Sequence, residues 1–213
     1  MSNNIFNHSD QLEKKRKEFK ELETELEIAD ILLIHYKGKL NLFGRSIQKI
    51  TDSYWNHSAL VFSTAKKNPL FHNTIIVEAL AKGIELHKIQ RYTKRPDKYD
   101  LGVKRVPGLT IEDKRTIRGY MMQNVGVPYD FPQILSILMS YITGQYKNYF
   151  LKKDAFICSG FIQSAFYKAL HEKRDILFKD SKGRRISDML MSYTTPKDLA
   201  NSDASEWIYN KKC

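Results

Sequence analysis

The chain has 213 residues, of which 42% are hydrophobic and 28% are charged, and its formal net charge is +11. This length and apolar content suit one domain with a sizeable core and exclude a mostly disordered chain. Only two cysteines are present, Cys158 and Cys213, which excludes a disulfide framework and a cysteine-based zinc site.

Residues 1–10 are polar, and no apolar run reaches the ~18 residues that a membrane span requires. We therefore expect a cytoplasmic protein. The positive charge indicates attraction to anionic partners, and an anionic membrane surface is one candidate. The basic residues are scattered and form no motif that reads nucleic acid, so we expect no specific nucleic-acid partner. A basic surface that serves no partner stays open as an alternative.

The first half of the chain predicts one helix followed by antiparallel strands. Residues 11–28 are highly charged and carry a narrow apolar stripe at helical spacing, which predicts a helix on the domain surface. Apolar or alternating runs predict strands at residues 30–36, 57–62, 74–80, 84–89 and 99–106, and residues 40–52 favour a second helix. The strands at 57–62 and 74–80 are expected to form a hairpin.

The second half of the chain is mainly helical. Thr110 with Asp113 three residues later marks the start of a helix over residues 111–125, which Gly126 closes. Apolar residues from Phe161 onward recur at three- and four-residue spacing and predict another helix. Strands followed by helices in one domain indicate an α+β fold.

Cys158 lies in or just before the first turn of that last predicted helix. Unpaired backbone N–H groups and the positive end of the helix dipole favour a thiolate at such a place, and the thiolate is the nucleophilic form. The alternative is that Cys158 is a small buried hydrophobic residue, as free cysteines commonly are.

The predicted hairpin brings a histidine and a glutamate together. If Phe62 pairs with Asn73, His57 falls directly opposite Glu78, and directly opposed residues share one face of the sheet. The carboxylate could then orient the imidazole and stabilise its protonated form. A purely structural pair is the alternative, and other candidates for the acid position are His72 and Asp52.

The remaining histidines show no partner pattern, so we predict that they are structural or exposed to solvent: His8, His35, His87 and His171. The acidic residues and histidines also lack the spacing of known metal motifs. We therefore expect no metal and no cofactor.

Two phrases resemble those of NlpC-type papain-like cysteine hydrolases: Gly126-Val127-Pro128-Tyr129 and Cys158-Ser159-Gly160-Phe161-Ile162-Gln163. In ordinary members the histidine follows the cysteine, whereas here the matching histidine precedes it. That order resembles the circularly permuted, YiiX-like branch, and the likeness extends over residues 30–199. The branch usually opens its first strand with Gly-Asp, for which this chain has Ala29-Asp30.

The resemblance implies a permuted papain-like α+β fold, in which an antiparallel sheet that forms a partial barrel packs against helices. The nucleophile would lie at a helix N-terminus. It further implies a charged helical extension over residues 1–28 and a hydrolase domain over residues 29–213. Residue by residue, it implies Cys158 as the nucleophile, His57 as the base and Glu78 as the third member of a triad. Tyr129 and Ser159 would contact the oxyanion or the substrate.

Such a peptidase-like or amidase-like cysteine hydrolase would cleave an amide or ester bond through a thioester acyl-enzyme. We expect a small-molecule substrate, which is an acylated amine, a lipid or a small peptide. Three alternatives stay open: a cell-wall peptide amidase or endopeptidase, an acyltransferase acting on lipid, and a binding module without catalysis. The apolar segment 131–150 is either a lipid-facing insertion or an ordinary core helix.

Overall fold

The structure is a computed structural model that describes residues 2–38, 52–65, 73–80, 82–128, 158–170 and 194–210, with side chains from residue 9 onward. Several predictions therefore lie outside the described residues. They concern the helix at residues 40–52, the apolar segment 131–150, Tyr129, Cys213 and the side chains of His8, His72 and His171.

The described residues form five helices and six strands. The helices are α1 (Ser2–Glu25), α2 (Gln90–Thr93), α3 (Ile111–Gln123), α4 (Cys158–Leu170) and α5 (Pro196–Asn201). The strands are β1 (Ile31–Tyr36), β2 (His57–Ser63), β3 (Ile75–Leu80), β4 (Gly83–Lys88), β5 (Tyr99–Arg105) and β6 (Glu206–Asn210). The predicted α+β class is confirmed, and every predicted strand is present.

The six strands form one antiparallel sheet in the order β4-β3-β2-β1-β5-β6. The sheet is open at β4 and β6, which leaves the predicted partial barrel unclosed along these two edges. The sequence did not reveal β6, because it is an exposed edge strand that, within the described part of the chain, pairs only with β5 and carries no run of buried apolar residues.

The two faces of the sheet bury separate apolar clusters, since successive side chains of a strand point to opposite faces. On one face, Phe19 and Leu22 of α1 and Leu26 just after the helix pack against the strands. On the other face, α4 and α3 pack against alternate strand residues that include Ile31, Leu33, Leu60 and Val77. Central strands β1 and β2 are covered by apolar side chains on both faces.

Helix α1 is also held to the sheet by polar contacts. The ammonium of Lys15 pairs with buried Asp100 of β5, whose second oxygen accepts a hydrogen bond from Tyr54 at 2.7 Å. The carboxylate of Glu23 accepts a hydrogen bond from Gln90 at 2.7 Å. The predicted division at residue 28 stays a prediction. Among the described residues, no helix combines the length and apolarity of a membrane span.

Candidate active site

Helix α4 begins at Cys158, whose side chain is 9% exposed. The helix is fixed in place because one face buries Phe161, Ile162, Ala165 and Phe166 against the core. The thiol therefore lies at a helix start, where free backbone N–H groups and the helix dipole favour its anion.

The start of α4 is tied to the last helix of the chain. Ser159 is fully buried, and its hydroxyl donates to the carbonyl of Thr194 at 2.5 Å. Helix α5, which follows Thr194, is anchored by buried Lys104, whose ammonium donates to the carbonyls of Leu199, Ala200 and Ser202. The described contact of Ser159 is thus with the backbone, and its oxyanion or substrate role stays a prediction.

The predicted register of the β2–β3 hairpin is wrong by two residues. Leu60 pairs with Val77 and Val61 with Ile76, and a bulge follows between Val61 and Ser63. Continued by one residue, this register puts Ala59 opposite Glu78, so His57 becomes a diagonal neighbour of Glu78. A slip of two residues equals the side-chain period of a strand, so both side chains stay on the predicted common face.

His57 and Glu78 are in direct contact. The Nε2 atom of His57 lies 2.6 Å from Oε2 of Glu78, and the same oxygen accepts a hydrogen bond from the Tyr92 hydroxyl at 2.5 Å. Glu78 is 0% exposed, and a buried carboxylate is costly unless it is paired. These two donors offset that cost and fix the carboxylate beside the imidazole.

The site stabilises a charged imidazole beside the sulfur. Burial alone would lower the pKa of His57, but hydrogen bonding and charge from Cys158 and Glu78 raise it to about 10. Burial alone would raise the pKa of Cys158, yet His57, with a smaller contribution from Ser58, brings it below its ordinary value. The proton therefore resides on His57 in the pH range between the two pKa values.

Glu78 and Tyr92 keep complementary protonation states. Burial alone would raise the pKa of Glu78, but the hydrogen bond and charge of His57, assisted by Tyr92, lower it below the ordinary range. Burial and the neighbouring charge of Glu78 raise the pKa of Tyr92. Tyr92 therefore remains a neutral donor to an ionised carboxylate.

Sequence reasoning missed three residues at this site. Ser58 is fully buried next to the thiol, and Tyr92 lies on the four-residue helix α2, whose brevity leaves no periodic signal. His87 has a partner that its sequence pattern did not indicate, because its Nδ1 lies 3.1 Å from Oε1 of Glu78, and the prediction that it is structural or exposed to solvent stays a prediction. Two features of the sequence could have indicated this contact of His87: the apolar–polar alternation of β4 and the short connection that joins β4 to β3.

Of the other candidates for the acid position, His72 lies outside the described residues, and Asp52 is not brought to His57. Asp52 is exposed and pairs with Lys197 at 3.2 Å. His35 is structural, since its Nδ1 lies 2.5 Å from the carbonyl of Tyr54 and its ring stacks on the Tyr54 ring.

Similarity to known proteins agrees with this geometry. Residues 26–209 match the model of a family described as permuted papain-like amidase enzyme, YaeF/YiiX, C92 family. The chain belongs to this family. Membership confirms the resemblance to the YiiX-like branch and the permuted papain-like fold. The chain matches no curated protein.

As a permuted papain-like amidase, the chain is in general terms a cysteine hydrolase. The permutation is visible in the order of its elements, because His57 opens β2 whereas Cys158 opens the later helix α4. Two residues that are 101 positions apart in the sequence meet because α4 packs on β2 and β3. The family match begins just after α1, which lies outside the matched residues.

Proposed function

We propose that this chain cleaves an amide or ester bond through a thioester formed on Cys158. The observation that carries the proposal is that one imidazole contacts both a carboxylate and a thiol: His57 lies 2.6 Å from Glu78 and lowers the pKa of Cys158. This is the arrangement of a nucleophile, a base and an orienting acid.

In the first half-reaction, the thiolate of Cys158 attacks the carbonyl carbon of the substrate. Backbone N–H groups at the start of α4 stabilise the resulting oxyanion, with Tyr129 as a further proposed donor. The protonated His57 then gives its proton to the leaving amine or alcohol as the carbon–nitrogen or carbon–oxygen bond breaks. The products of this step are a thioester and a neutral His57.

In the second half-reaction, neutral His57 takes a proton from water, whose oxygen attacks the thioester. The carbon–sulfur bond breaks, the free acid leaves, and the thiolate–imidazolium pair is restored. Glu78 holds the ring orientation in both halves and stabilises the imidazolium. An amine or alcohol in place of water would give acyl transfer instead of hydrolysis.

We propose an N-acyl amide, a lipid or a small peptide as the substrate. The apolar composition of residues 131–150, which precede the nucleophile helix, and the net charge of +11 support a substrate with an acyl chain or an anionic group. A cell-wall peptide is the alternative substrate, which the experiment below distinguishes, and acyl transfer to lipid is the alternative reaction of the same thioester.

An anionic membrane surface is the partner that we propose for the basic face of the molecule. A cleft of about 610 Å³ lies between α1 and α2. Four basic residues line it, and none of them takes part in an ion pair with another described residue: Arg16, Lys17, Lys20 and Lys94. The carboxylates of Glu13 and Glu23 also line the cleft, so its lining carries an excess of positive over negative side chains, which favours an anionic surface.

The decisive experiment is intact-mass detection of an acyl adduct after incubation with lipid esters, N-acyl amino acids and cell-wall peptides. We expect one class to add its acyl mass to the wild-type chain and to the Cys213→Ser variant. The Cys158→Ala variant should gain no mass. Turnover by Cys158→Ala would contradict the proposal, and a wild-type Cys158 no more reactive than Cys213 toward iodoacetamide would favour a binding module.

A further inference from the structure

The two oxygens of Glu78 have different surroundings. Oε2 receives both His57 and Tyr92, whereas Oε1 is buried and takes part in no aligned hydrogen bond with a described residue. The polar group in reach of Oε1 is Nδ1 of His87, at an ion-pair distance of 3.1 Å. A buried carboxylate oxygen without a donor is costly, so His87 occupies the position where a donor is needed.

The strand pairing gives a second reason for a histidine at position 87. Glu78 and Glu85 are directly opposed across β3 and β4, and like charges in that relation destabilise a sheet. His87 lies two residues after Glu85 and therefore on the same face, with its Nε2 at 3.2 Å from Oε2 of Glu85. A neutral imidazole can donate to one of the two carboxylates, and a protonated imidazole can donate to both.

We propose that His87 is a positioning residue that holds the Glu78 carboxylate through Oε1 and thereby keeps Oε2 directed at His57. The inference rests on the proposed roles of Cys158, His57 and Glu78. With His87 included, contacts run from the sulfur of Cys158 through His57, Glu78 and His87 to the carboxylate of Glu85, which is half-exposed on the edge strand β4.

The charged and titratable groups that face Glu78 come from three elements. They are His57 of β2, His87 and Glu85 of β4, and Tyr92 and Arg91 of α2. His57, Tyr92 and Arg91 all favour the ionised carboxylate, and His57 and Tyr92 bind the other oxygen. Loss of His87 would leave Oε1 without a donor while Glu85 stays close.

The consequence is a defined change in pH dependence. Without a donor at Oε1, burial favours the protonated carboxyl, so Glu78 takes up its proton at a higher pH. The imidazolium of His57 then loses its counter-charge at that higher pH, and the thiolate of Cys158 loses its partner. The reactive thiolate should therefore appear only at a higher pH than in the wild-type protein.

The test measures the rate at which iodoacetamide alkylates Cys158 as a function of pH, with peptide mapping to separate Cys158 from Cys213. We expect His87→Leu to raise the midpoint of the Cys158 profile by about one pH unit, which is the size of shift that the loss of one nearby donor or opposite charge causes at a carboxylate. His87→Asn keeps an N–H donor near Oε1 and should retain the wild-type midpoint. If thermal melting shows that His87→Leu is unfolded, His87→Met provides the same apolar replacement.

A wild-type midpoint in the apolar variant, together with a raised midpoint in Glu78→Gln, would overturn the role of His87 and leave the proposed function standing. Equal shifts in His87→Leu and His87→Asn would also overturn it, because the ring itself and not its donor would then matter. If the wild-type Cys158 reacts no faster than Cys213, the proposed function fails, and this inference fails with it.

Discussion

His57 shows how much a single side chain depends on its neighbours. Its ring is half-buried between a sulfur and a carboxylate, and these two groups outweigh the effect of burial on its pKa. The sequence alone placed His57 and Glu78 on one sheet face, because even an incorrect register preserves the face when it slips by two residues. The sequence could not supply Tyr92, which comes to Glu78 from a different element.

The first prediction concerns the alkaline side of the activity profile. Leaving-group protonation requires the imidazolium, so hydrolysis should decline as pH rises through about 10, the pKa of His57. Glu78→Gln removes one of the two charges that raise this pKa, the other being that of Cys158, and should move the decline to lower pH by about one to three units. The measurement is the pH–rate profile with the substrate class found by the adduct experiment.

The matched control for this prediction is Glu112→Gln, which neutralises an exposed carboxylate on α3 that pairs with Arg115. It should leave the alkaline decline unchanged. An unchanged profile in Glu78→Gln would show that Glu78 does not stabilise the imidazolium.

At the scale of elements, the same kind of sequence signal predicted α1 and α4, but it did not give the full length of α1. Both helices were expected from apolar periodicity, but α1 extends over Ser2–Glu25, whereas its periodic stripe begins near residue 11. The contacts that hold this segment to the sheet are those of the buried residues Phe19, Leu22 and Leu26 and the ion pair between Lys15 and Asp100. These contacts join residues far apart in the sequence.

The second prediction is that α1 belongs to the cooperative core. Phe19 is fully buried and its ring meets that of Tyr209 edge-on, so Phe19→Ala should lower the free energy of unfolding by about 3 kcal/mol. The control Lys14→Ala, at an exposed position of the same helix, should change it by less than about 0.5 kcal/mol. Denaturant unfolding measures both, and equal small effects would show that α1 is a separate extension.

At the scale of the whole molecule, charge is the property that composition gives most directly. The net charge of +11 indicates anionic partners, but composition does not say where the charge is concentrated. The structure locates four basic side chains without described ion-pair partners along one cleft between α1 and α2, which Glu13 and Glu23 also line. This cleft is on the α1 side of the sheet, whereas α4 with Cys158 packs on the other face.

The third prediction is that the protein binds vesicles containing phosphatidylserine and that added salt weakens this binding. Lys20→Glu should lower the affinity by about tenfold, because one lysine near an anionic surface contributes about 1 kcal/mol and the reversed charge adds repulsion. The control Lys168→Glu makes the same charge change at an exposed position of α4 and should have a smaller effect. Vesicle co-sedimentation measures both. Equal losses of affinity would argue against the cleft.

The sequence by itself determined the strand-rich first half, the helix that begins near the cysteine, and the resemblance that the family match confirms. These features are encoded locally, in apolar periodicity, capping residues and short phrases whose order along the chain is specific. The same local signals identified Cys158, His57 and Glu78 as residues to bring together.

Only the tertiary structure decided the β2–β3 register, the edge strand β6, and the contacts of Tyr92 and His87 with Glu78. A bulge between Val61 and Ser63 shifts the pairing of β2 with β3 by one residue, and no sequence signal indicated it. Edge strands and very short helices lack the periodic burial that makes elements visible in a sequence. The carboxylate of Glu78 is contacted from β2, β4 and α2. These contacts arise only when the elements pack together, so no local stretch of sequence encodes them.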